Sequence, residues 1–146
     1  MSEDKEKFLL NVMGLLPYHL FSHFEIQKLV FLVQKRLDLN YFDFKADIYG
    51  PNDKEIYNIL NKMIKEGKVL RWYDTDWRDI PSLQHFQVSY KHIPNTDEFL
   101  NEEKIELIKK LILFVKETEF RELILSIFKE WPEMSVNCVF HGWRKS

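Results

Sequence analysis

The spacing of apolar positions changes several times along the chain, and each change predicts an element. Helical spacing runs over about Asp4–Leu16 and stops before Pro17. It resumes after Ser22, where Ser22 and Glu25 have the separation of a capping box, and Ile26, Leu29, Val30, Val33 and Leu37 then share one face. Over Tyr41–Ile48 the period drops to two. Phe42, Phe44, Ala46 and Ile48 alternate with polar residues, which predicts a strand with one buried face. Gly50-Pro51 reads as a break. Asn52 and Glu55 repeat the capping separation ahead of a third helix, about Asp53–Glu66, that Gly67 stops.

Two strands are predicted next, Val69–Tyr73 and His85–Tyr90, joined by a polar connection. After a linker over Lys91–Thr96, a fourth helix is predicted at about Glu98–Glu117 and a fifth at about Glu119–Trp131, before Pro132. The tail Met134–Ser146 has room for one more short turn. The order predicts an α+β fold. Three helices with a small antiparallel hairpin are winged-helix-like, and the C-terminal helices add a packing layer. One domain is expected over 1–146, with the winged-helix-like core at 1–90 and the helical extension at 97–146.

The third helix carries the clearest surface. At 100° per residue, Ile56, Ile59, Leu60, Met63 and Ile64 gather on one side. Lys54, Asn58, Asn61 and Lys65 fall opposite, flanked by Lys62. Lys68 and Arg71 continue into the first hairpin strand, and Arg78 sits at the hairpin tip. These residue types suit double-stranded DNA. Asn58 and Asn61 are candidates for base edges, because an amide pairs with adenine in two hydrogen bonds. Lys54, Lys62, Lys65, Lys68 and Arg71 are candidates for phosphate. Solvated helix faces are rich in Lys and Asn in any case, and two features oppose DNA. Asp38–Asn52 replaces the short turn of a helix-turn-helix, and Asp74, Asp76 and Asp79 make the hairpin tip acidic.

Lys28–Gln34, Phe42-Asp43-Phe44, Tyr49-Gly50-Pro51-Asn52 and the stretch from Ile56 to Gly67 together resemble the SocA-like, or Panacea, antitoxin domains and related prokaryotic winged-helix-like proteins. Trp131-Pro132-Glu133 is similar to an aromatic-Pro-Glu piece of some relatives. The resemblance covers Leu29–Val69 well and the rest loosely. It implies a non-enzymatic domain that acts by protein contact or regulation, and it carries over no catalytic residue.

Composition narrows the classes further. The chain has 146 residues, with 45% apolar and 30% charged side chains. That is an ordinary globular mixture, not a disordered one. With 21 basic and 23 acidic residues the net charge is -2, so no global field points to nucleic acid or membrane. No apolar run approaches the ~18 residues of a spanning helix, and the charged start lacks a signal peptide's pattern. Together with the single Cys138, this reads as a cytoplasmic protein. His19 with His23 and Cys138 with His141 have zinc-ligand separations only as isolated pairs, so no metal and no cofactor is expected. No catalytic motif occurs, and the chain reads as a non-enzyme.

Two partner surfaces compete with DNA. Trp72, Tyr73, Trp77 and Phe86 cluster on the hairpin and are candidates for a protein partner, or for cross-strand packing. The apolar face of the fourth helix, with Leu107, Leu111 and Phe114, is wide enough for a homodimer or for a well-buried helix.

Overall fold

A computed structural model describes residues 2–73, 84–96 and 100–138. Among these, five α-helices and two small antiparallel sheets make an α+β arrangement. The helices are α1 (Ser2–Gly14), α2 (His23–Leu37), α3 (Lys54–Lys65), α4 (Glu102–Glu117) and α5 (Phe120–Glu130). The strands are β1 (Phe21–Ser22), β2 (Lys45–Asp47), β3 (Gly50–Asn52), β4 (Val69–Tyr73) and β5 (Gln84–Val88).

The local signals act where they stand. Ser22 accepts from the Glu25 amide and Glu25 accepts from the Ser22 amide, the reciprocal box that starts α2. At the end of α3, Lys68 N–H donates to Met63 and Gly67 N–H to Ile64. This pair of bonds needs a left-handed residue, and Gly67 has φ +75°. The strand β4 has the predicted bounds. The cap of α3 is a correction. Asp53, not Asn52, accepts from the Glu55 amide, because Asn52 is taken up in β3 opposite Lys45. The fourth helix starts at Glu102 rather than Glu98, capped by Asn101. Tyr90 leaves the sheet for a 3-10 turn, Tyr90–His92.

The larger differences are long-range. Only Lys45–Asp47 of the expected 41–48 strand is strand. Phe42 has both backbone groups satisfied by the Gln34 amide, at 2.7 and 3.1 Å, so it needs no neighbouring strand. The chain then reverses at Ile48-Tyr49, and Gly50-Pro51 becomes β3, paired with β2. Gly50 has φ +90°, and a Cβ there would stand 3.4 Å from the Phe128 ring. Two-residue β1 shows no alternation in sequence. It joins β5, giving the sheet order β1-β5-β4.

Helix α2 is the centre of the molecule. Its residues Ile26 through Gln34 are all buried, polar ones included. It is covered on every side, by α1, α4, β1 and β3 among others. One apolar cluster joins α1, α2, α3 and the three-stranded sheet to Ile108, Ile112 and Val115 of α4 and Leu123, Ile124 and Ile127 of α5. Arg36 pairs with Glu130 and lies over the Trp131 ring, tying the end of α2 to the end of α5. Beyond α5, Pro132–Ser135 forms a 3-10 turn, and Asn137 donates to Ala46 O of β2 at 2.9 Å. Among the described residues no helix is long and apolar enough to cross a membrane.

Candidate functional site

The outer stripe of α3 is uncovered, as its opposite face is buried through Ile56, Ile59, Leu60 and Met63. Lys54, Asn58 and Lys65 are exposed along it. The other predicted contacts are engaged within the protein. Glu6 of α1 is buried and receives Lys62 Nζ at 2.9 Å and Lys68 Nζ at 2.5 Å. Burial alone would raise the Glu6 carboxyl, but its bonds to Lys68 and Lys62 outweigh that and hold it below its ordinary value. Arg71 donates to Asn61 Oδ1, leaving Asn61 half-buried. Arg78 lies outside the described residues. At the head of α3, Asp43, Asp47, Asp53 and Glu55 line a shallow hollow against Lys45 and Lys54. Glu55 is also paired with Lys5 at 2.6 Å. A recognition helix presents its N-terminal end to base edges, and here that end is rimmed by carboxylates.

Glu6 carried no signal in sequence, because an acid in the first turns of a helix is ordinary. Its position changes what a charge reversal at Lys62 measures. In Lys62→Glu with Lys65→Glu, the buried carboxylate gains a like charge beside it. We expect lower stability at pH 7, partly regained at pH 5 as Glu6 takes up a proton, read by urea unfolding at both values. The wild-type sign is opposite. Its Glu6 contribution is complete above the ordinary 4.5 and is lost as pH falls through the lowered value.

The second surface is aromatic. Tyr18, Trp72 and Tyr73 are 73%, 50% and 61% exposed. They line an open hollow of about 600 Å3 that also takes in His19, His85 and Lys116. Trp72 is oriented by its Nε1–H, which donates to Gln87 Oε1 at 3.1 Å. Gln87 in turn donates to Pro17 O, fixing the α1–β1 connection beside Trp72. His85 and Lys116 are shared with a second hollow of about 470 Å3. There Phe24, Tyr49 and Phe120 stand with centroids 5.4–5.8 Å apart. Lys116 donates to Leu20 O and to Glu25 Oε1, the latter at 3.0 Å, and so closes the floor between α4 and the start of α2.

One of the hairpin candidates, Phe86, does not belong to this surface. Phe86 is fully buried, because β5 is the central strand and Phe86 points into the core. Trp77 lies outside the described residues. The dimer candidates do not share an exposed face either. Leu111 is buried in the core cluster, Leu107 is half-buried and Phe114 is exposed. Helix α4 lies against α2, which buries the seam through Ile108, Ile112 and Val115.

Polar side chains of α2 form a third feature, which the periodicity concealed among apolar neighbours. Gln27 exchanges two hydrogen bonds with the Asp53 backbone, both at 2.9 Å. Lys28 Nζ donates to Pro51 O at 3.0 Å, and Gln34 holds Phe42. Together they strap the connection between α2 and α3 onto α2. Burial lowers the Lys28 ammonium to about 8, against the opposing pull of Asp47. Among the described residues no three His, Cys, Asp or Glu side chains converge on a metal position. Cys138 is half-buried, and His141 lies outside the described residues. No protein-family model and no curated protein matches the chain.

Proposed function

We propose that this chain is a non-catalytic binding module of winged-helix type, and that its partner is a protein held on the aromatic surface. The element order α1-β1-α2-α3-β4-β5 with sheet order β1-β5-β4 supports the winged-helix reading, with β2–β3 as an insertion between the second and third helices. One contrast carries the choice of partner. Four of the predicted DNA contacts are paired with other side chains of the protein, Lys62 and Lys68 with Glu6 and Asn61 and Arg71 with each other. Tyr18, Trp72 and Tyr73 instead stand in water as one contiguous patch. Large rigid aromatics in such a patch are what interface hot spots are made of.

The test uses the full chain as bait in an extract of its own source cells, beside Trp72→Ala/Tyr73→Ala and Lys54→Glu/Lys65→Glu. The expected result is one stoichiometric protein retained by wild type and by the lysine variant. Its affinity for the tryptophan–tyrosine variant should fall by roughly 30-fold or more, the scale of a hot-spot truncation. Equal retention by all three overturns the reading.

A duplex-binding reading keeps one observation in its favour, the uncovered stripe of Lys54, Asn58 and Lys65. It predicts anisotropy of labelled duplex DNA with a shallow salt slope of about -2, for two phosphate-contacting lysines. That binding would be abolished in Lys54→Glu/Lys65→Glu and unchanged in the aromatic variant.

A further inference from the structure

The strap on α2 contains a group whose protonation state its neighbours dictate. The carboxamide of Gln27 is fully buried, and its orientation follows from Asp53. The Asp53 N–H requires an acceptor, so the oxygen of Gln27 faces it at 2.9 Å. The nitrogen of Gln27 then points the other way, with two hydrogens to place. One goes to Asp53 O at 2.9 Å, and the other points at His23 Nε2, 3.1 Å away. His23 Nε2 must therefore accept, which leaves the ring proton on Nδ1. We propose that His23, Gln27 and the Asp53 backbone form a latch that only neutral His23 closes, so that protonation of His23 loosens the join between α2 and the head of α3.

Three features of the surroundings oppose the imidazolium. His23 is the first residue of α2, where the helix dipole disfavours a cation. Lys28, five residues further along the same helix, adds like charge, and burial is the larger of the two effects that lower the His23 value. From the α3 side, Tyr57 offers only a ring, edge-on at 5.1 Å. The Asp53 carboxylate is turned to the amides of Asp43 and Glu55 and does not compensate a charge on His23. Glu25 is committed to Ser22 and Lys116. A protonated ring would set an N–H against the NH2 of Gln27, and one of the two would have to swing away. Asp53 caps α3, so its backbone bonds to Gln27 connect the imidazole to the start of that helix.

The experiment is nitrogen-resolved NMR on the uniformly labelled full chain, with His23 assigned from His23→Gln. At pH 8 the ring should show the Nδ1–H tautomer. From pH 8 to 5, the amides of Asp53 and Glu55 should shift with the midpoint of His23, and that midpoint should lie below 6.5. In Gln27→Glu a carboxylate replaces the NH2 donor and favours the imidazolium, so the midpoint should rise by about one unit or more. An Nε2–H tautomer at pH 8 overturns the proposal by itself, with no titration and no variant. Asp53 and Glu55 amides that ignore the His23 midpoint overturn it as well.

Discussion

Replacing Phe86 with alanine should cost about 3–5 kcal/mol of stability, the range for truncating a fully buried aromatic. The residue sits in β5 between β1 and β4, opposite Phe21 and Arg71, with no exposed surface. Its ring belongs to the buried apolar cluster, so truncation leaves a cavity in the core. Trp72→Ala on the adjacent strand removes a ring that is half exposed. That change should cost far less stability, while it removes the centre of the aromatic surface. Urea unfolding of the two variants separates the roles, and a Phe86→Ala protein as stable as Trp72→Ala would show that the ring is not in the core. Loss of partner binding in Phe86→Ala would report on folding, not on an interface.

The second large effect concerns Lys28. Its ammonium is buried with a single described partner, Pro51 O, and loses its proton at about 8. In the unfolded chain the same group titrates at its ordinary 10.5. Between those values the unfolded chain holds more protons than the folded one, so stability rises with pH across that window. Put the other way, the contribution is complete above 10.5 and is lost as pH falls through about 8. Lys28→Met removes the titrating group while keeping its unbranched length. The difference in unfolding free energy between wild type and Lys28→Met should therefore move toward wild type by on the order of 3 kcal/mol from pH 7.5 to 10.5. Near neutral pH two terms oppose in the variant. It is relieved of a buried charge, but it leaves the Pro51 carbonyl without its donor. The pH course is the diagnostic quantity, measured by urea unfolding at several pH values. Parallel courses for the two proteins would show that the ammonium finds water in the folded state.

Lys28 also illustrates why much of this molecule was hidden in its sequence. A lysine one residue before Leu29 reads as the solvated face of an amphipathic helix. It is buried because α2 has no solvated face over Ile26–Gln34. Periodicity reports one buried side, and a helix surrounded by neighbours violates that assumption. The same holds for Gln27 and Gln34. Their role is to satisfy backbone groups of Asp53 and Phe42, which are remote in the chain. Only Lys45–Asp47 of the 41–48 segment is strand for the matching reason, since the backbone of Phe42 is satisfied by the Gln34 side chain instead of by a neighbouring strand.

The amino-acid order by itself determined where α2 begins and where α3 ends, which stretch is β4, and which face of α3 points inward. The two helix ends depend on bonds that reach three to five residues, such as Ser22 with Glu25 and Lys68 with Met63. It also placed Lys54, Asn58 and Lys65 on one exposed stripe. Only the tertiary structure decided which charges remain available and which aromatics are surface. Glu6 lies 56 residues from Lys62 and 62 from Lys68, and meets them because α1 packs on α3. Phe86 and Trp72 are both hairpin aromatics in sequence, and the place of β5 at the centre of the sheet buries the first while Trp72 on β4 stays half exposed. Charge neutralisation and burial are properties of what surrounds a side chain in space, and the chain's linear pattern encodes only one side of that surrounding.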